Sequence, residues 1–168
     1  VITLLGDNPV TVEVGTAYVD AGATASDNED GDLTAAVVTD ASDVDTSILG
    51  TYTVTYDVTD SDGNDAVQMI RVVTVVDTTV PVITLLGSNP QTIVVNSAYA
   101  ELGATASDNY DGDLTAAIVI DASEVDTSTV GSYTVTYDVT DSSGNDAEQM
   151  IRTVNVVSTS LPVITLLG

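Results

Sequence analysis

The 168 residues include 26 acidic side chains, two arginines, no lysine and no histidine, for a formal net charge of −24 at pH 7. Such a polyanion repels nucleic acid and anionic lipid, so neither is an expected partner, and it suits a saline, cation-rich medium where charges are screened within about 8 Å. The lack of histidine, cysteine and lysine removes the common catalytic base, the thiol nucleophile and the Schiff-base amine.

The chain repeats itself every 81 residues: VITLLG at 1–6 returns at 82–87 and at 163–168. Residues 1–81 lie over 82–162 without a gap, with about 58 of 81 positions identical. Serial copies this similar read as one module repeated, not as two halves of an active site. The expected organisation is repeat one at 1–81, repeat two at 82–162, and at 163–168 the first strand of a further repeat. Apolar residues make up 43% of the chain, almost all Val, Ile, Leu, Ala and Tyr, with no Phe or Trp. That composition argues against disorder and favours pleated strands over helices, so each module is expected to be all-β and to fold by itself. Without cysteine, stability must come from core burial, neighbouring modules or bound ions. No apolar run approaches the roughly 18 to 20 residues of a membrane span, and membrane insertion is not expected.

In chain order, VITLL opens as a strand, DNP at 7–9 turns the chain, and TVEV at 11–14 continues along an edge. YVDAGATAS at 18–26 reads as the next strand, DNEDGD at 27–32 as a loop, LTAAVVTD at 33–40 as a strand and 42–50 as an irregular connection. TYTVTYDVT at 51–59 alternates strictly, placing Tyr52, Val54, Tyr56 and Val58 on a core face and Thr51, Thr53, Thr55, Asp57 and Thr59 on a solvent face. DSDGN at 60–64 turns this strand back into a Val-rich partner, forming a hairpin. Apolar runs broken by turn chemistry at this spacing make a sandwich. That last strand contains a conflict of parity. Val67 is Glu148 in the second copy, whereas Val72 and Thr74 become Thr153 and Asn155, so the outward face changes between odd and even positions. A β-bulge near Arg71 reconciles the two, with Arg71 and Arg152 then paired to carboxylates such as Asp57 and Asp138.

The order PVITLLGDNP, DAGATASDNEDGDLT, VDTSILGTYTVTYDVTDSDGNDA and a Val-rich final strand resembles the immunoglobulin-like repeats of bacterial surface proteins related to hyalin-type repeats. Similar modules occur in some pesticidal crystal proteins. A more distant likeness to PKD domains lacks their aromatic GDG signature. The resemblance covers nearly every residue of both modules. It implies tandem immunoglobulin-like Greek-key β-sandwiches used as spacer or binding modules in long secreted proteins, and it implies no catalytic residues. Paired carboxylates could in principle cleave glycosides, but they need a cleft that a narrow two-layer sandwich rarely supplies.

Clusters of Asp and Asn on loops suit calcium, a hard cation that takes six to eight oxygen ligands. DNEDGD offers Asp27, Asn28, Asp30 and Asp32, and its copy DNYDGD offers Asp108, Asn109, Asp111 and Asp113, with Gly31 and Gly112 easing the turn. Glu29 exchanges for Tyr110 and is left out. In an immunoglobulin-like sandwich this loop and the final hairpin turn share one end, which adds Asp60 and Asp141. The linker residue Asp77 is a further candidate, as a ligand shared across a joint in the manner of cadherin domains. The competing reading is a solvated turn, since tight loops also select Asp, Asn and Gly.

The expected function is a non-catalytic stalk or spacer of a large bacterial extracellular or cell-surface protein, an adhesin, matrix or filament component, stiffened by calcium. Its expected partners are neighbouring repeats of the same chain and other copies of the same protein. The alternatives are a module recognising glycan or a protein receptor, and a subunit that self-assembles through a strand such as the terminal VITLLG.

Overall fold

The computed structural model describes residues 1–164 and divides the chain into two compact units, Val1–Thr78 and Thr79–Gly168. The expected strand at 163–168 falls largely outside the described residues.

Each unit packs a three-stranded sheet against a four-stranded one. In unit 1, β1 (Ile2–Leu4) and β3 (Ala23–Asp27) pair antiparallel, and β3 also pairs with the two-residue β4 (Gly31–Asp32). The second sheet has the order β2 (Val10–Glu13), β7 (Met69–Val76), β6 (Gly50–Asp57), β5 (Val38–Asp40), with β2 parallel to β7 at one edge. Unit 2 repeats this with β8 (Val82–Leu85), β9 (Gln91–Val94), β10 (Ala104–Asp108), β11 (Gly112–Asp113), β12 (Val119–Asp121), β13 (Gly131–Asp138) and β14 (Met150–Val157). Two β-sheets with seven strands and a parallel edge between the second strand and the last give the immunoglobulin-like sandwich that the alternation implies.

The core lies between the sheets. Val54, Tyr56 and Val58 on β6 and just beyond it meet Val73 from β7 and Ile2 and Ala25 from the facing sheet. The strict alternation of 51–59 thus produces the face it predicts. Tyr52, at the start of β6, donates its hydroxyl to the carbonyl of Ile48 at 2.9 Å, and Tyr133 does the same to Thr129 at 2.9 Å. These contacts form the tyrosine corner of immunoglobulin-like sandwiches.

Several elements differ from expectation. Of the predicted strand 18–26 only 23–26 is extended, within β3, because Gly22 turns the chain at φ +79° and Tyr18 and Asp20 are directed at Arg71. Within 33–40, a 3-10 turn at Thr34–Ala36 precedes the strand, started by Asp32 accepting the backbone N–H of Thr34 at 2.9 Å. The register slip lies before Arg71. Pairing is regular from Gly50↔Val75 to Tyr56↔Met69, and the isolated bridge Thr59↔Asp65 then leaves residues 66–68 opposite 57–58. Ala66 and Met69 pack on the core while Val67 is exposed, so the parity change falls at 67–68 and the strand runs unbroken through Arg71.

The partner of Arg71 is Asp20, not Asp57; the carboxylate of Asp57 instead accepts the amide of Gln68 at 2.9 and 3.0 Å. Arg71 is 1% exposed, an unusual fate for an arginine. From β7 it crosses to the other sheet, donating to Asp20 at 2.5 Å, to the carbonyl of Leu5 and to that of Gly22 at 3.1 Å, above the ring of Tyr56. Tyr56 and Tyr18 both donate to Asp20, at 2.5 and 2.8 Å. In unit 2 the acid is Glu101, not Asp138. Arg152 donates to Tyr137 at 2.8 Å and to the carbonyls of Ser88, Leu86 and Gly103, while Tyr137 and Tyr99 donate to Glu101. Glu101 is the ion-pair partner at 3.8 Å.

Removing one member of such a pair strands the other charge inside the protein. Asp20→Ala is expected to cost about 3 kcal/mol in urea denaturation, whereas Asp20→Glu, which copies unit 2, is expected to retain most of the stability. Equal loss in both variants would contradict this role for the carboxylate.

Candidate cation site

The DNEDGD segment is a tight hairpin between β3 and β4, in which Asp27 pairs with Gly31 and Gly31 takes φ +76°, a conformation that disfavours any side chain. The turn that follows β6 arrives at the same end of the sandwich. One carboxylate oxygen from each of Asp27, Asp30 and Asp60 lies within 4.8 Å of the others. Asn28 lines the same shallow cavity of about 280 Å³, together with Asp62 and Asn64. In unit 2, Asp108, Asp111 and Asp141 are brought together in the same way, within 4.8 Å. Asn109 occupies the position equivalent to Asn28 and is exposed.

Asp32 and Asp113 are not members of these sets. Each accepts the backbone N–H two residues ahead, Thr34 and Thr115, at 2.9 Å, and Asp32 borders a neighbouring groove with Val1 and Thr24. This is the solvated-turn use of aspartate. Asp77 follows β7 directly as the last residue but one of unit 1.

Two side chains in each unit that sequence reasoning passed over hold the sets in place. Ser61 donates its N–H and hydroxyl to the two oxygens of Asp30, both at 2.8 Å, and Ser142 grips Asp111 at 2.8 and 2.7 Å. These bonds tie the hairpin turn to the loop. Asn64 orients Asp60 through its backbone N–H and side-chain amide, both at 2.8 Å, and Asn145 does so for Asp141 at 2.7 and 2.8 Å. The signal was present in the repeats: Ser61, Gly63 and Asn64 recur as Ser142, Gly144 and Asn145, while Asp62 changes to Ser143. Asp108 Oδ2 is buried without a hydrogen-bond partner, although its Oδ1 accepts Tyr110 N–H at 2.8 Å and Asp111 N–H at 3.0 Å.

A family model described as bacterial surface protein, Ig-like domain, matches residues 2–75 and again 83–156. The chain belongs to this family. Its surface Ig-like modules are 33% identical over 156 residues to the pesticidal crystal protein Cry22Aa of Bacillus thuringiensis, covering 83% of this chain and 21% of that protein. They are 36% identical over 122 residues to hyalin of Strongylocentrotus purpuratus, covering 70% of this chain and 10% of hyalin. The chain therefore spans about a fifth of one relative and a tenth of the other. A solved structure of the M60 catalytic domain with the CBM51-1 and CBM51-2 domains of Clostridium perfringens ZmpB aligns over 95% of this chain and 31% of its own, with TM-score 0.53 and 14% identity, a likeness of fold.

In these Ig-like modules, hydrogen bonds lower the pKa of Asp27, Asp60 and Asp141 despite the acids around them. The N–H groups of Glu29 and Asp30 hold Asp27 below the usual carboxylate range, against the charge of Asp60, which pushes it up. Asn64 lowers Asp60 by side-chain and backbone bonds; for Asp141, burial pushes upward but the bonds from Asn145 outweigh it. Groups with depressed folded-state pKa values contribute stability that is complete above their unfolded value, about 3.9, and is lost as pH falls through the folded one. With general repulsion screened by added salt, the urea midpoint is expected to be level from neutral pH to about 5 and to fall steeply below 4. A midpoint that climbs on acidification to pH 3 would mean that repulsion outweighs these bonds.

Proposed function

We propose that the two modules act as non-catalytic spacers in a large extracellular or cell-surface bacterial protein, such as an adhesin, matrix or filament component, and that calcium bound at the acidic loop end of each module stiffens it. The observation that carries the reading is the unpartnered, buried Asp108 Oδ2 beside Asp111 and Asp141. A buried carboxylate oxygen without a donor is costly, and a hard cation with several oxygen ligands removes that cost.

Asp27, Asp30 and Asp60 in unit 1 and Asp108, Asp111 and Asp141 in unit 2 supply the carboxylates, with Asn28 and Asn109 as neutral oxygen donors beside them. A hydrogen bond to one lone pair of an oxygen leaves another for a cation, so the grips of Ser61 and Asn64 orient the ligands without using them up. Bound calcium supplies a charge centre coordinated by six to eight oxygens, which holds the β3–β4 hairpin to the turn after β6. Asp77 is a further candidate ligand from the linker.

Isothermal titration calorimetry with calcium, paired with thermal melts in calcium and in chelator, tests this. Saturable binding is expected, with a melting temperature several degrees higher in calcium. Asp30→Asn with Asp111→Asn should abolish both effects, and Asp77→Asn should weaken binding only if the linker contributes. Absence of binding heat with an unchanged melt would leave an acidic spacer held by its own hydrogen bonds.

A further inference from the structure

The chain enters the four-stranded sheet of each unit on an edge strand and leaves it on the neighbour that runs parallel to it. In unit 1, β2 pairs with β7 from Val10↔Val73 to Glu13↔Val76, and Val14 N–H continues the ladder to the Val76 carbonyl at 2.7 Å. Side chains lengthen this ladder at both ends. The amide of Asn8 donates to the Ile70 carbonyl at 2.9 Å and accepts Val72 N–H at 2.8 Å, the two bonds that a parallel strand residue opposite Arg71 would make through its backbone. Asn89 repeats this on Ile151 and Thr153, at 3.0 and 2.9 Å. Ahead of these asparagines, Arg71 reaches from β7 to the carbonyl of Leu5, and Arg152 from β14 to those of Leu86 and Ser88. At the far end of β2, the Glu13 carboxylate accepts the N–H and hydroxyl of Thr78 at 3.0 and 2.6 Å, just beyond β7. Unit 2 carries Val94 at the position of Glu13, and its ladder ends on Val95 N–H to the Val157 carbonyl at 2.9 Å.

We propose that each module is a load-bearing clamp, in which tension along the chain is carried in shear between its second and last strands. Asn8 and Asn89 lock the entry to the clamp, and Glu13 adds a lock at the exit of unit 1. The strands are parallel, so a pull on the residues before β2 and a pull on those after β7 act in opposite directions along one line. Such a load slides one strand past the other and strains every bond of the ladder at once, whereas a hairpin pulled from its open end loses its bonds one by one. The rate of forced unfolding follows the height of that barrier and not the equilibrium stability. The asparagine amides extend the sheared length without adding a strand residue, and the arginines tie the stretch before them to the same last strand. Val94 has no oxygen with which to hold the chain beyond β14, so unit 2 yields before unit 1. The spacer reading concerns length and stiffness; the clamp adds resistance to tension and requires no cation.

Single-molecule force spectroscopy on the whole chain, held by its two ends in chelator, tests the clamp separately from calcium. Two unfolding steps are expected, each lengthening the chain by on the order of 250 Å, with unit 2 giving way at the lower force. At a fixed force, Asn8→Ala should speed the unfolding of one module about tenfold and leave the other unchanged. Gln68→Ala also removes two side-chain hydrogen bonds, those to Asp57, but it lies beside the hairpin turn, off the line of load, and should leave both rates unchanged. Val94→Glu, which copies unit 1, should slow the weaker module towards the stronger. Equal acceleration by Asn8→Ala and Gln68→Ala, or no change in either, would overturn the proposal. So would a Val94→Glu chain whose weaker step stays where it was.

Discussion

Arg71 and Arg152 are the only cationic side chains in the chain, and both are buried. Each module places its single positive side chain where it binds one sheet to the other: from β7 or β14 to the carbonyls at the ends of the first sheet and to an acid presented by an irregular segment. Burying a guanidinium requires that its donors find acceptors, and Asp20, Leu5 and Gly22 provide them for the two terminal nitrogens of Arg71, while its Nε is left without one. The ring of Tyr56 lies beneath the charge, and Tyr56 and Tyr18 fix the acid. The two modules reach the same end with different acids, Asp20 and Glu101. The longer Glu101 accepts both tyrosines, and Arg152 turns more of its donors to backbone carbonyls.

Using both arginines inside leaves a surface whose ionised side chains are all acidic. Local backbone donors answer much of that charge: Asp27, Asp32, Asp40, Asp45 and Asp60 each accept an N–H two residues ahead. Where two acidic loops converge in unit 2, at the end of β10, these donors do not reach every oxygen: Asp108 Oδ2 is buried without a partner.

Periodicity made β6 and β7 legible, because an eight-residue alternating strand with one buried face leaves little freedom in register. The convergence of the DNEDGD loop with the turn after β6 was legible from sandwich topology. The partner of Arg71 was not, because Asp20 lies in a segment with strand-like composition whose conformation is set by Gly22 and by the arginine itself. Asp57 was the nearer acid in sequence, yet it sits on the outward face of β6. The 3-10 turn at Thr34–Ala36 was hidden for a related reason: the bond from Thr34 N–H to the Asp32 carboxylate holds the entry to the turn against the strand propensity of the residues after it. Comparing the copies detected the parity change at 67–68 but not its place, since substitutions mark the exposed positions without showing where pairing slips.

Terbium luminescence tests the central claim most directly, because Tyr110 sits between Asp108 and Asp111 and its phenol can sensitise an ion held there. The account predicts saturable sensitised emission that calcium displaces and that is lost in Tyr110→Glu, the residue unit 1 carries as Glu29. Emission that never rises above that of free ion, or that calcium leaves unchanged, would contradict a cation site at these carboxylates.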